Sequence, residues 1–184
     1  MIVRHLFPTL RQTKREGQPV TAHSASEKYA LRVATTADAS AIARHRVSMF
    51  RDMGMLHDHD AAALEAGAQA HLTTALADGT YFGWLIKHDG VVVAGAGVIV
   101  RPLLPRPESP YGGEDVEVLN VYTEPAHRRR GLARRLVEHV LTWARARSLQ
   151  RISLHASDEG RPLYEQLGFV PTNEMRREWT TESV

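Results

Sequence analysis

Cysteine is absent from all 184 residues of this chain. Its absence excludes disulfides, thiolate metal sites and a cysteine nucleophile, and with them acyl transfer through a thioester formed on the protein itself. Long apolar runs are missing as well. Nothing approaches the roughly 20 residues that span a bilayer, so a soluble, cytoplasmic protein with no membrane partner is expected. Aromatic residues make up only 7% of the chain and the formal net charge is only +2, which argues against a dedicated nucleic-acid protein. Internal repeats are also lacking.

What is present fits one domain with a real core, since 43% of residues are hydrophobic. Residues 1–28 differ from the rest: Arg4, Arg11, Lys14, Arg15 and Lys28 outnumber Glu16 and Glu27, and no continuous apolar stretch follows Arg4. That segment reads as a flexible extension, with the domain occupying residues 29–184. From Tyr29 the pattern becomes regular. A strand is expected over Tyr29–Ala34, then a helix over Ala39–Met53 capped by Thr36 or Asp38, and an alanine-rich helix over Ala61–Leu76 stopped at Asp78-Gly79. Strands Tyr81–Lys87 and Val91–Val100 meet at the hairpin signal Asp89-Gly90, and the proline-rich stretch Arg101–Gly113 reads as a loop. Further strands are expected over Val116–Tyr122, Arg151–Ala156 and around Phe169–Trp179, with a short helix at Gly160–Leu167. The order β-α-α-β-β-β-α-β-α-β is that of an α/β sandwich.

The most informative stretch is Arg128-Arg129-Arg130-Gly131-Leu132-Ala133. It follows the apolar strand and opens a helix whose stripe runs through Leu132, Leu136, Val140 and Ala144. A strand feeding a glycine-containing loop that starts a helix leaves several N–H groups unpaired and pointing one way, a cup suited to phosphate. Gly131 lets the backbone approach an anion closely. The plain alternative is an ordinary helix start with solvated arginines. A sharper one is a nucleic-acid surface, because Arg134, Arg135, Arg145, Arg147 and Arg151 crowd the same region with Glu138 almost alone among them.

A second motif adds weight. Arg128, Gly131 and Ala133 fit the pattern Gln/Arg-x-x-Gly-x-Gly/Ala, and Leu163-Tyr164-Glu165-Gln166-Leu167-Gly168-Phe169 is a tyrosine-bearing helix ending in Leu-Gly-Phe. In this order, with Tyr164 36 positions after Arg128, the pair resembles the two signatures of the GNAT superfamily of acetyl-CoA-dependent N-acetyltransferases. The resemblance implies an α/β fold with a mixed sheet of about six strands flanked by helices, in one domain. It implies acetyl-CoA as cosubstrate and no metal. Arg128, Arg129, Arg130, Gly131, Leu132 and Ala133 would form the pyrophosphate loop, and Val121, Tyr122 and Thr123 would pair with the pantetheine arm. Tyr164 matches the tyrosine that protonates the departing thiolate. Ser157 stands where members often carry asparagine, so the pantetheine contact there is reduced to what one hydroxyl can make.

Acetyl transfer to an amine also needs a base. Eleven positions before Arg128 stands Glu117, the spacing at which some members carry a strand glutamate that deprotonates the amine. Strand alternation puts Glu117, Leu119 and Val121 on one face and Val118, Asn120 and Tyr122 on the other. A glutamate in an apolar strand either lies in a cleft or pairs with an arginine at the strand's open end. His155 is the alternative base. The acceptor side would come from the first helix, with Arg46, Met49, Phe50, Arg51 and Asp52, leading to His57-Asp58-His59-Asp60. Those four have the look of metal ligands but read as a polar loop and helix cap. Three functions follow: an N-acetyltransferase acting on a small-molecule or peptide amine, a non-catalytic acyl-CoA-binding module, and a nucleic-acid or ribosome-associated protein using the arginine patch. A homodimer is the remaining partner class left open.

Overall fold

Three long antiparallel strands carry the molecule: β2 (Tyr81–His88), β3 (Val91–Leu103) and β4 (Gly113–Thr123). The computed structural model describes residues 28–107, 109–149 and 151–177. Apart from Lys28, the expected N-terminal extension therefore lies outside the described residues. A short β1 (Ala30–Val33) joins β2 antiparallel, and β5 (Ile152–Leu154) joins β4 as the one parallel pair, giving the sheet order β1-β2-β3-β4-β5. β2 and β3 turn at Asp89-Gly90 as the sequence predicts.

Helices α1 (Ala39–Asp52) and α2 (Ala61–Asp78) cover one face, closing over Ile42, Ala43, Leu72, Ala75, Tyr81 and Leu85. Helix α3 (Leu132–Ala146) covers the other, where Leu132, Leu136 and Val140 meet Trp84, Ile86, Val98, Val116 and Val118. The fourth helix, α4 (Arg161–Gln166), is a short one. No helix among the described residues is long and apolar enough to cross a membrane.

Two expected elements differ. The proline-rich stretch is not wholly a loop: the β3–β4 ladder continues through Arg101–Asp115, Pro102–Glu114 and Leu103–Gly113. A proline costs a ladder one N–H but not its register, and Arg101 thereby becomes a strand residue facing β4. The last strand, expected around 169–179, does not form over residues 169–177. The Phe169 N–H bonds the Tyr164 carbonyl and closes the helix end, and Pro171 has no N–H for a ladder. The described residues hold five strands.

Candidate functional site

The sheet opens between β4 and β5. Their pairing covers only Val116–Ile152, Glu117–Ser153 and Val118–Leu154. Past Val118 the β5-side edge of β4 has no strand partner among the described residues; Leu119 and Tyr122 pair across to Gly97 and Gly95 of β3, and the backbone groups between and beyond them, at Val121 and Thr123, border the split.

A β-bulge sits at that point. Gly97 opposes Leu119 and Gly95 opposes Tyr122, so Asn120 and Val121 together face Ala96. Asn120 adopts φ +54°, a left-handed conformation that asparagine tolerates better than most residues. Its amide is pinned on both ends: Arg46 Nη1 donates to Oδ1 at 2.7 Å, and Nδ2 donates to the Tyr81 hydroxyl at 3.3 Å. Burial pushes the Tyr81 phenol up to about 12 and makes the Arg46 guanidinium easier to deprotonate. Gly97 makes room for this. A Cβ there would stand 1.9 Å from the Tyr81 hydroxyl oxygen.

The bulge corrects the expected strand faces. Leu119 packs with the α1/α2 cluster, and the next residue, Asn120, turns to the same side; Val121 then packs on the α3 side. Tyr122 lies against His45 of α1, ring centroids 5.1 Å apart. Burial first, then Glu124, raises the Tyr122 phenol.

After β4 the chain makes one short helical turn (Pro125–His127) and enters the arginine loop. Arg129 (φ +60°) and Gly131 (φ +75°) are both left-handed, which swings successive N–H groups inward. The first backbone bond into α3 is Arg135 N–H to the Gly131 carbonyl. Among the described residues, the six N–H groups from Arg129 to Arg134 thus have no backbone acceptor. The Arg128 side chain serves elsewhere. It bonds Asp52 on α1 and the Thr123 carbonyl and lies over the Tyr122 ring, tying the loop to α1. The Thr123 hydroxyl is buried with no hydrogen-bond partner among the described residues.

Tyr164 on α4 stacks edge-on against Phe169. Burial raises its phenol, and among the described residues no hydrogen bond reaches its hydroxyl. Ser157 begins this turn by accepting the Gly160 N–H at 3.2 Å, which leaves its own O–H to donate. Glu117 is held between two partners: Arg101 pairs with Oε2, and His155 Nδ1 lies 3.3 Å from Oε1. The carboxylate and the histidine, alternatives in the sequence, are one unit in the fold.

An open cleft of about 390 Å³ lies between the end of α1 and the start of α2, lined by Phe50, Met55, Leu56, Asp60, Ala63 and Leu64. It adjoins the bulge through Arg46, whose guanidinium sits 4.7 Å from the Phe50 ring centroid. The His57–Asp60 run forms a short turn into α2; His57 and His59 stack, Asp60 pairs with His59, and Asp58 pairs with Arg51. No group of three or more candidate metal ligands lies together among the described residues.

Sequence reasoning missed the Arg46–Asn120–Tyr81 network; of its two readings of Glu117, a cleft or a pairing with an arginine, the arginine pairing is present, with Arg101 as the partner that the sequence did not name. A signal existed for the first: glycines at 95 and 97 inside an apolar strand mark a place where another group approaches closely.

The profile of the Acetyltransferase (GNAT) family matches residues 42–169. No curated protein matches the chain. Among solved structures, a GCN5-related N-acetyltransferase from Ralstonia eutropha JMP134 is 33% identical with a TM-score of 0.75, the match covering 82% of this chain and 98% of that one. A predicted acetyltransferase from Clostridium acetobutylicum, solved with acetyl-CoA, is 25% identical with a TM-score of 0.73, covering 82% and 95%. A Trypanosoma brucei acetyltransferase at 19% identity and a TM-score of 0.61, covering 82% and 98%, shares the fold. Well over half of the sequence falls under that one profile, and the chain belongs to the GNAT acetyltransferase family.

Proposed function

We propose that this protein is an acetyl-CoA-dependent N-acetyltransferase that moves acetyl directly to a primary amine of a small molecule or peptide. The observation that carries the reading is the cup of six unpaired N–H groups beside the β4–β5 split. The residues present fit the cosubstrate. N–H groups from Arg129 to Ala133 would hold its pyrophosphate at the positive end of α3, with Arg128 holding the loop in shape. The open edge of residues 121–123 would pair with the pantetheine arm as an added strand, and the Ser157 O–H would make a single further contact. When bound, the thioester supplies an activated acetyl group.

The chain's own residues then divide the work. Of the two candidate donors, Tyr122 pairs with Gly95 of β3, whereas Val121 lies in the bulge, and its N–H would face the carbonyl oxygen on which charge develops. Glu117, directly or through water, accepts a proton from the amine. Tyr164 donates to the leaving thiolate; a phenol is protonated at neutral pH, and burial raises this one further. The cleft between α1 and α2 receives the acceptor. The chain has no cysteine to carry the acetyl group as a protein-bound thioester, which supports direct transfer within a ternary complex.

Thiol release from acetyl-CoA across a panel of amines, beside binding of acetyl-CoA itself, tests the reading. Binding without release points to a non-catalytic module, and binding of RNA alone to the arginine patch. Tyr164→Phe should keep folding and acetyl-CoA affinity while kcat falls about 10² to 10⁴-fold, the usual weight of a positioned proton donor. Parallel double-reciprocal plots, or an acetylated protein trapped without amine, would overturn direct transfer.

A further inference from the structure

We infer that Glu117, His155 and Glu174 form a proton path that carries the proton released by the reaction from the acceptor site to solvent. The inference rests on the acetyltransferase reading and extends it to two residues outside the catalytic pair. Glu117 Oε1 lies 3.3 Å from His155 Nδ1, and His155 Nε2 lies 3.4 Å from Glu174 Oε1. One ring thus lies between two carboxylates, hydrogen-bonded to Glu174 through Nε2 and facing Glu117 with Nδ1. Side-chain exposure rises along the line, from 22% at Glu117 to 52% at His155 and 62% at Glu174. The path therefore leads outward.

The fold assembles it from three places. Glu117 is on β4 opposite Ser153 of β5; His155, two residues on, emerges on the same side of the sheet just past the strand's end. Glu174 comes from the segment after α4, the stretch the sequence misread as a strand. Its backbone joins no ladder, and its side chain returns to His155. The remaining charged groups nearby are Arg101, which holds the second oxygen of Glu117, the Asp115–Arg151 pair at the next facing position, and Arg176, 4.0 Å from Glu174. Arg101 holds Oε2, which leaves Oε1 to face the histidine.

The chemistry requires an exit. Converting an ammonium and a thioester into an amide and a thiol forms one C–N bond, breaks one C–S bond, and removes two protons from nitrogen. One ends on the thiol sulfur, the proton that Tyr164 supplies being made good. The other must leave the protein. Glu117 takes it; His155 accepts it at Nδ1 and gives up a proton from Nε2 to Glu174, which loses it to water. The carboxylates end unchanged; the ring, which starts with its proton on Nε2, ends with it on Nδ1, and the half-exposed imidazole regains its starting tautomer by proton exchange with water before the next turnover. His155 and Glu174 act through Glu117 and are positioning residues.

The test uses the full chain, acetyl-CoA and an amine that the wild type acetylates, at constant ionic strength and rising imidazole. Wild-type kcat should be independent of imidazole. His155→Ala and Glu174→Gln should lower kcat roughly tenfold at low buffer, less than loss of the base itself because water still reaches Glu117. Their KM for acetyl-CoA should hold, and imidazole should restore kcat. Glu117→Gln should not be rescued. Without substrate, ¹⁵N spectra should show Nε2 as the protonated, hydrogen-bonded nitrogen and Nδ1 as the bare one, with Glu174→Gln moving the Nε2 signal and Glu117→Gln the Nδ1 signal. Full activity of His155→Ala at low buffer, a loss that imidazole does not restore, or ring nitrogens indifferent to both substitutions would each overturn the path. Absence of transfer by the wild type is a different result, and it overturns the acetyltransferase reading itself.

Discussion

The two faces of the central sheet bury different materials. Toward α3 the core is dry, with Trp84, Ile86, Val98, Val116 and Val118 meeting Leu132, Leu136 and Val140. Among the described residues, the three buried polar ones lie at the α1 side: Asp38 just before the helix, His45 on it, and Asn120 bonded to Arg46 from it. Glu117 shares that side, as does the cleft beside Phe50. One face supplies stability cheaply. The other spends desolvation on groups held in fixed positions, as a site must.

If that division is right, the largest loss of stability should come from the dry face and leave the site alone. Leu136 is fully buried at the α3 contact. Leu136→Ala should cost about 2–5 kcal/mol, read by urea unfolding, with acetyl-CoA affinity per folded molecule unchanged. A comparable loss of affinity would mean that α3 packing sets the loop geometry and that the faces are not separate.

The polar face should reveal itself in acid. Burial first, and Arg44 second, hold the His45 imidazole down to about 4. The folded-state value is depressed, so the unfolded chain binds its proton first as pH falls. Stability is complete above the ordinary histidine value and drains away between about pH 6.5 and 4, amounting to roughly 3 kcal/mol. A second window follows below it. Arg32, through its hydrogen bonds, holds the Asp38 carboxyl down to about 2, so this group's contribution is present above the usual carboxylate range and is lost toward pH 2. His45→Gln should flatten the upper window and spare the lower one. Unchanged pH dependence in that variant would remove His45 from the account.

These groups also mark where the sequence was readable. The helices, the hairpin and the arginine loop follow from patterns a few residues long: an apolar stripe from Leu132 to Ala144, an Asp89-Gly90 turn, a glycine three positions after an arginine. The bulge does not. Asn120 turns because Arg46 and Tyr81, 74 and 39 positions away, hold its amide, and strict alternation through Tyr122 was the wrong expectation for that reason. Glu117 was legible as a candidate, but its meeting with His155 depends on β5 pairing parallel to β4. Its meeting with Arg101 depends on a ladder running on through Pro102.

Breaking the bulge's support should therefore separate rate from affinity. Arg46→Met leaves the Asn120 carbonyl oxygen without its charged donor, a loss of about 1–3 kcal/mol in stability. If the Val121 N–H polarises the carbonyl as proposed, its aim depends on that turn, and kcat should fall while acetyl-CoA affinity holds. Tyr81→Phe, which removes one hydroxyl, should move both readouts the same way and by less. If affinity falls and kcat does not, the network shapes the pantetheine edge rather than the oxyanion position.

The smallest effect isolates the loop. Gly131 is left-handed with nothing within 4 Å of a Cβ built there, so any cost of a side chain on the free protein is backbone strain. Gly79, at the end of α2, is left-handed too, and its Cβ would make only an ordinary 3.9 Å contact with Phe82. Alanine at either position should therefore destabilise the fold by a similar amount, roughly 1–2 kcal/mol. Only at Gly131 would the methyl stand among the N–H groups proposed to hold the pyrophosphate. Gly131→Ala should weaken acetyl-CoA binding about tenfold, ~1.4 kcal/mol, and Gly79→Ala should leave it unchanged. Calorimetric titration of the two variants decides it. Equal affinities would move the phosphate site away from the cup, whereas a loss confined to Gly131 would place the anion against that backbone.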